Sequence, residues 1–185
     1  MRLLRLQKGH DLQISALEAT GAELDSWRLD LLDIVLDCLG VPADSFGEDE
    51  EPLCCRDSFR ERFCEMGGSK EELRSFLEDA VDQSRLYYRE HPEVKVHFPT
   101  LEAALSRLLQ VQFTWCQLRD DLERAGVWFT PDSALGKFDL LPVVLDELGV
   151  PGEGGREDFG GKWRETVVTG SEEECLGFVE CLQLS

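Results

Sequence analysis

Catalysis needs particular side chains at particular spacings, and this chain offers few of them. Three histidines, His10, His91 and His97, are its whole supply of imidazole bases. None accompanies a marked nucleophile. There is no Gly-x-Ser-x-Gly elbow, and Gly67-Gly68-Ser69-Lys70 lacks the upstream glycine and the Gly-Lys-Ser order of a phosphate loop. The seven cysteines include no Cys-x-x-Cys pair. Cys54-Cys55 with Cys64, and Cys175 with Cys181, do not have the spacing that closes a tetrahedral zinc site. The acidic stretch from Asp44 to Glu51 lacks the ligand alternation of a calcium loop. No catalytic residue, metal or cofactor is expected.

Two sets of residues remain as binding candidates. Glu48, Asp49, Glu50 and Glu51 form a run of four acids, which reads as a solvated surface and as the first place for a basic partner to dock. The second set is cationic. Arg56 and Arg62 lie beside Phe59 and Phe63, and Arg156 and Lys162 stand in the same register beside Phe159 and Trp163. In so acidic a chain, cations kept in both places should answer particular carboxylates: Arg56 with Asp37 or Asp30, and Arg156 with Asp146 or Asp139. The alternative is a pocket for a ligand, lined by these four cations with Trp115 and Trp128.

The net charge narrows the partners. Thirty-eight Asp and Glu against 19 Lys and Arg give −19 and a pI near 4.4. Such a field repels phosphate backbones and anionic membranes, so direct nucleic-acid and lipid-surface binding are disfavoured. The odd number of cysteines without a disulfide rhythm fits a reducing compartment. The first residues lack the apolar core of a signal peptide, and no run reaches membrane-spanning length. A cytoplasmic protein is expected.

The elements that must position these residues come from periodicity. Asp30-Leu-Leu-Asp-Ile-Val-Leu-Asp-Cys-Leu-Gly-Val-Pro42 returns as Asp139-Leu-Leu-Pro-Val-Val-Leu-Asp-Glu-Leu-Gly-Val-Pro151. Two further blocks follow each copy in the same order: Arg56 to Phe63 matches Arg156 to Trp163, and Gly68-Ser69 to Phe76 matches Gly170-Ser171 to Phe178. Three blocks in order imply duplication. Each copy reads as helix, loop, short helix and capped helix. The first helix runs from about Gly21 to Leu39, and its counterpart starts near Leu140, since Pro142 fits only a first turn. Ser69 with Glu72 forms a capping box that opens a helix ending near Glu90.

Leu101, Ala104, Leu108, Val111, Trp115, Leu118, Leu122 and Ala125 keep steps of three and four, giving a long helix with a wide apolar band. Short β-strands are expected near residues 2–18, where Leu4/Leu6 and Leu12/Ile14 alternate around Gly9, and at 94–98. The expected architecture is a mainly α single domain over 1–185. It comprises a first repeat (21–90), a connecting strand and long central helix (91–130), and a second repeat (131–185).

The function these features favour is a non-enzymatic acidic binding module, an adaptor, inhibitor or immunity-type protein, acting on a basic protein surface as a monomer or as a homodimer through the long helix. Its alternatives are a ligand-binding protein or enzyme with an aromatic-lined pocket between the repeats, and a nucleic-acid mimic.

Overall fold

The computed structural model describes residues 1–21, 29–42, 56–150 and 156–183, and all regular structure among them is helical. In chain order the helices are α1 (Arg2–Glu18), α2 (Leu31–Cys38), α3 (Arg56–Glu65), α4 (Lys70–Glu90), α5 (Leu101–Arg124), α6 (Leu141–Glu147), α7 (Arg156–Thr166) and α8 (Glu172–Gln183). The protein is therefore mainly α. Its backbone divides into two compact units, Met1–Ser15 with Asp30–Pro99, and Ala16–Leu29 with Thr100–Ser185.

The two stretches where strands are expected hold none. Residues 2–18 form α1, and the leucine alternation misleads because the helix buries polar side chains. Its inner face is Leu4, Gln7, Lys8, His10 and Ile14, whereas Leu12 is 55% exposed. Read with Gln7, Lys8 and His10 as inner residues, the spacing is helical. At 94–98 the chain is irregular: Val94 N donates to His91 O at 3.0 Å, and no laddered neighbour follows among the described residues.

In the first unit, α2 begins later than its periodicity predicts. Asp30 Oδ1 accepts from Asp33 N at 3.0 Å and caps the helix there; Leu24 and Trp27 of the longer predicted stripe lie outside the described residues. The helix ends as Gly-Val-Pro requires. Gly40 takes φ +71°, with Gly40 N donating to Asp37 O and Val41 N to Leu36 O, so the last carbonyls are satisfied. The Ser69 capping box is present in both directions. Leu4, Leu32, Leu36, Phe59, Phe63, Leu73 and Phe76 then close one core, in which the Phe76 ring meets Phe59 and Phe63 edge-on at 5.8 and 5.6 Å.

In the second unit, α5 packs along α8 and against α6, while α7 packs on both α6 and α8. Leu105, Leu109, Trp115 and Leu118 on α5 are buried, as the wide apolar band predicts. Pro142 falls in the first turn of α6, where its missing N–H costs no hydrogen bond. Gly149 (φ +70°) ends α6, with Gly149 N donating to Asp146 O and Val150 N to Leu145 O. The Trp163 and Phe178 rings meet at 5.4 Å.

Candidate functional site

A cluster of ion pairs lies where α3 meets α2. Asp33 and Asp37 stand one helical turn apart on α2, a like-charge spacing that is unfavourable on its own. Arg56 and Arg60, one turn apart on α3, answer them. The Arg56 guanidinium, whose side chain is 11% exposed, donates to Asp37 and, at 3.3 Å, to Asp33. It also donates to Val41 O at 2.7 Å and Pro42 O at 3.1 Å, so it grips the chain just past the end of α2. Arg60 reaches Asp33 at 2.8 Å and Asp30 at 3.3 Å. The expected Arg56–Asp37 pair is present, while Asp30 belongs to Arg60. Arg60 was not foreseen, since Gly160 stands in its register in the second half.

The other sequence-predicted residues are distributed. Arg62 pairs with Asp79 of α4 and lies 5.8 Å from the Phe76 ring centroid. Lys162 Nζ stands 5.3 Å from the Phe159 ring. Trp115 is buried against Phe138 and Phe129, at 5.3 and 6.3 Å between centroids, and Trp128 is 76% exposed. Arg56 and Arg62 belong to the first unit; Trp115, Trp128 and Lys162 belong to the second. Glu48, Asp49, Glu50 and Glu51, and the side chain of Arg156, lie outside what the structure describes. Among the described residues no group of His, Cys, Asp and Glu could hold a metal ion.

The polar face of α1 was also missed. Lys8, buried, donates to Phe63 O at 2.9 Å and Cys64 O at 2.8 Å, the carbonyl end of α3, where the helix dipole favours a cation. Gln7 Oε1 accepts from Leu31 N at 2.7 Å, and its Nε2 donates to Asp11 at 2.7 Å. A glutamine of the second unit also caps a distant amide. Gln112 Oε1 accepts from Leu140 N at 2.6 Å, and its Nε2 donates to Cys116 Sγ at 3.5 Å. The signal was available: Leu-x-Leu-Gln at 4–7 and Leu-x-Val-Gln at 109–112.

Several carboxyls and one thiol among the described residues are shifted by backbone amides or by burial. Glu72 is lowered chiefly by the Ser69 amide, and Glu174 chiefly by the Thr169 amide, with Gly170 and Val168 donating to the same carboxylate. Glu102 is lowered mainly by its own amide and by Gln183. Burial, with a contribution from Glu174, pushes the Cys175 thiol up to about 11. A thiol so raised is a poor nucleophile. Arg56, Arg60, Arg62 and Lys162 are engaged with carboxylates, carbonyls or aromatic rings.

No protein-family model, curated protein or solved structure matches this chain.

Proposed function

We propose that the protein is a non-enzymatic acidic binding module, an adaptor, inhibitor or immunity-type protein, that engages a basic protein surface in a reducing cytoplasm. The observation that supports this reading is how the positive charge is used. The chain carries −19, and Arg56, Arg60 and Arg62 are each engaged with carboxylates of α2 or α4. Between Asp139 and Gln183, 11 carboxylates stand against three cations. Such an excess raises the encounter rate with a cationic partner and weakens steeply with salt.

Affinity capture from the native host, eluted in steps of salt, identifies the partner, and its binding is then measured against ionic strength. Affinity should fall by at least about tenfold between roughly 0.05 and 0.5 M salt. A partner held equally well at half-molar salt refutes the electrostatic reading.

The architecture that carries this activity is, on the same reading, a doubled unit of four helices, α1–α4 and α5–α8. Three correspondences support it. The Gln7–Leu31 bond matches Gln112–Leu140. Gly68 abuts Lys8 as Gly170 abuts Phe113. The Phe63–Phe76 ring pair matches Trp163–Phe178. On this view α5 is the counterpart of α1 and opens the second copy.

A further inference from the structure

Helix α7 carries two adjacent glycines, Gly160 and Gly161, in its interior. Nothing in the fold requires them. Neither takes the positive φ that Gly149 and Gly170 adopt at helix boundaries. A methyl on Gly160 would meet only the Arg164 guanidinium, at 3.9 Å, and one on Gly161 would meet nothing within 4 Å. Each therefore shifts the local helix equilibrium about fivefold toward the open chain, relative to alanine, with no gain in packing. The helix has 11 residues, and its buried side chains among those described are Phe159 and Trp163. A helix this short is held by its tertiary anchors rather than by its own propensity.

On the doubled-unit reading α3 is the counterpart of α7, and three of its ties have no equivalent among the described residues. Arg60 holds α3 to Asp30 and Asp33 of α2, whereas Gly160 stands in its register and Pro142 in that of Asp33. Arg62 pairs with Asp79 of α4, whereas Cys181 stands in the register of Asp79 and Lys162 Nζ lies over the Phe159 ring of its own helix. Lys8 receives the carbonyl end of α3, whereas Phe113 takes the corresponding place against Gly170. Arg164 Nε turns back to Gly160 O at 3.0 Å, inside α7. The Trp163 ring on Phe178 anchors α7 to α8. We propose that α7 is a releasable strap: it opens from α6 and α8 while α5 and α8 stay packed, and in opening it uncovers Phe178. The second unit then has two states, and a partner that needs the face beneath α7 binds only the open one.

The test is native-state amide hydrogen exchange of the full chain, read residue by residue by NMR where reclosing outpaces exchange. The amides of Lys162 to Thr166 should exchange at least about tenfold faster, relative to their intrinsic rates, than those of Leu109 in α5 and Val179 in α8. Gly160→Ala and Gly161→Ala should each slow exchange in α7 about fivefold. Gly177→Ala separates local from global opening. Gly177 lies in α8, and a methyl there meets nothing within 4 Å, so this substitution stabilises α8. If α7 opens on a folded α8, the closed and open states gain alike, and exchange in α7 stays unchanged. A fivefold slowing of α7 by Gly177→Ala overturns the proposal, because α7 then opens only when α8 unfolds. So do amides of α7 as protected as those of Leu109 and Val179. The free chain is measured, so the outcome is separate from that of the basic partner, and the three glycine variants test α7 without reference to the doubled unit.

Discussion

Gln7 Oε1 lies 2.7 Å from the amide nitrogen of Leu31, the residue at which α2 begins. The first N–H groups of a helix have no partner inside it, so a side chain from another helix supplies one. Because the bond is buried, breaking it leaves a donor without water. Gln7→Leu should therefore lower the unfolding free energy by about 1–3 kcal/mol in urea titrations. Gln112→Leu should do the same through Leu140, and the two losses should add. A neutral Gln7→Leu would mean that Leu31 N finds another acceptor.

Arg56 tests whether the α2–α3 cluster acts as a fork or as a point charge. Its nitrogens serve two carboxylates and two carbonyls, which an ammonium cannot reproduce. Arg56→Ala removes the cation that Asp33 and Asp37 share and should cost about 3 kcal/mol. Arg56→Lys should recover less than half of that. Full rescue by lysine would show that only the charge matters.

Acid should destabilise the protein through its capped carboxylates. Glu72, Glu102 and Glu174 are lowered from 4.5 in the folded chain, so their stabilising effect is complete above that value and is lost as pH falls through the lower folded values. Loss of net negative charge near the pI of 4.4 works the other way. The comparison that separates the two is between wild type and Glu174→Gln: the variant should be less stable at pH 7, and the gap should narrow as pH falls below 4.5. Parallel pH profiles would contradict the three-amide cradle.

Cys175 supplies the alkaline counterpart. Its thiol is raised from 9.0 to about 11, so the stabilising contribution is intact below 9 and is lost as pH rises through about 11. At pH 8, iodoacetamide followed by peptide mass spectrometry should label the exposed Cys38, Cys64 and Cys181 while sparing Cys175. Rapid labelling of Cys175 in the folded chain would refute its burial.

The legible parts of the sequence were those where chemistry and periodicity agree. Ser69 with Glu72, the stops at Gly40 and Gly149, Pro142 in a first turn and the apolar band of α5 all follow from local rules. So did the pairing of Arg56 with Asp37, because an engaged cation in an acidic chain has few other places to go. What failed was α1. Helix recognition relies on an apolar stripe, and here Gln7, Lys8 and His10 fill that stripe, Gln7 and Lys8 finding partners in Leu31, Phe63 and Cys64 far along the chain. Arg60 was missed for a related reason: its value lies in a partner across the helix pair, which repetition along the chain does not reveal.

Lys8 also bears on the order of assembly. Its ammonium enters the protein only where Phe63 O and Cys64 O receive it, 55 and 56 residues further along the chain. Before α3 has formed, docking α1 would bury a cation without acceptors, at a cost of several kcal/mol. Helix α1, although it precedes α3 in the chain, should thus lock after it. Lys8→Met should then accelerate unfolding while barely changing the folding rate, a φ-value near zero beside a higher one for Phe76→Leu in the core. Synthesis from the N-terminal side would in this way leave α1 waiting for a segment made 55 residues later.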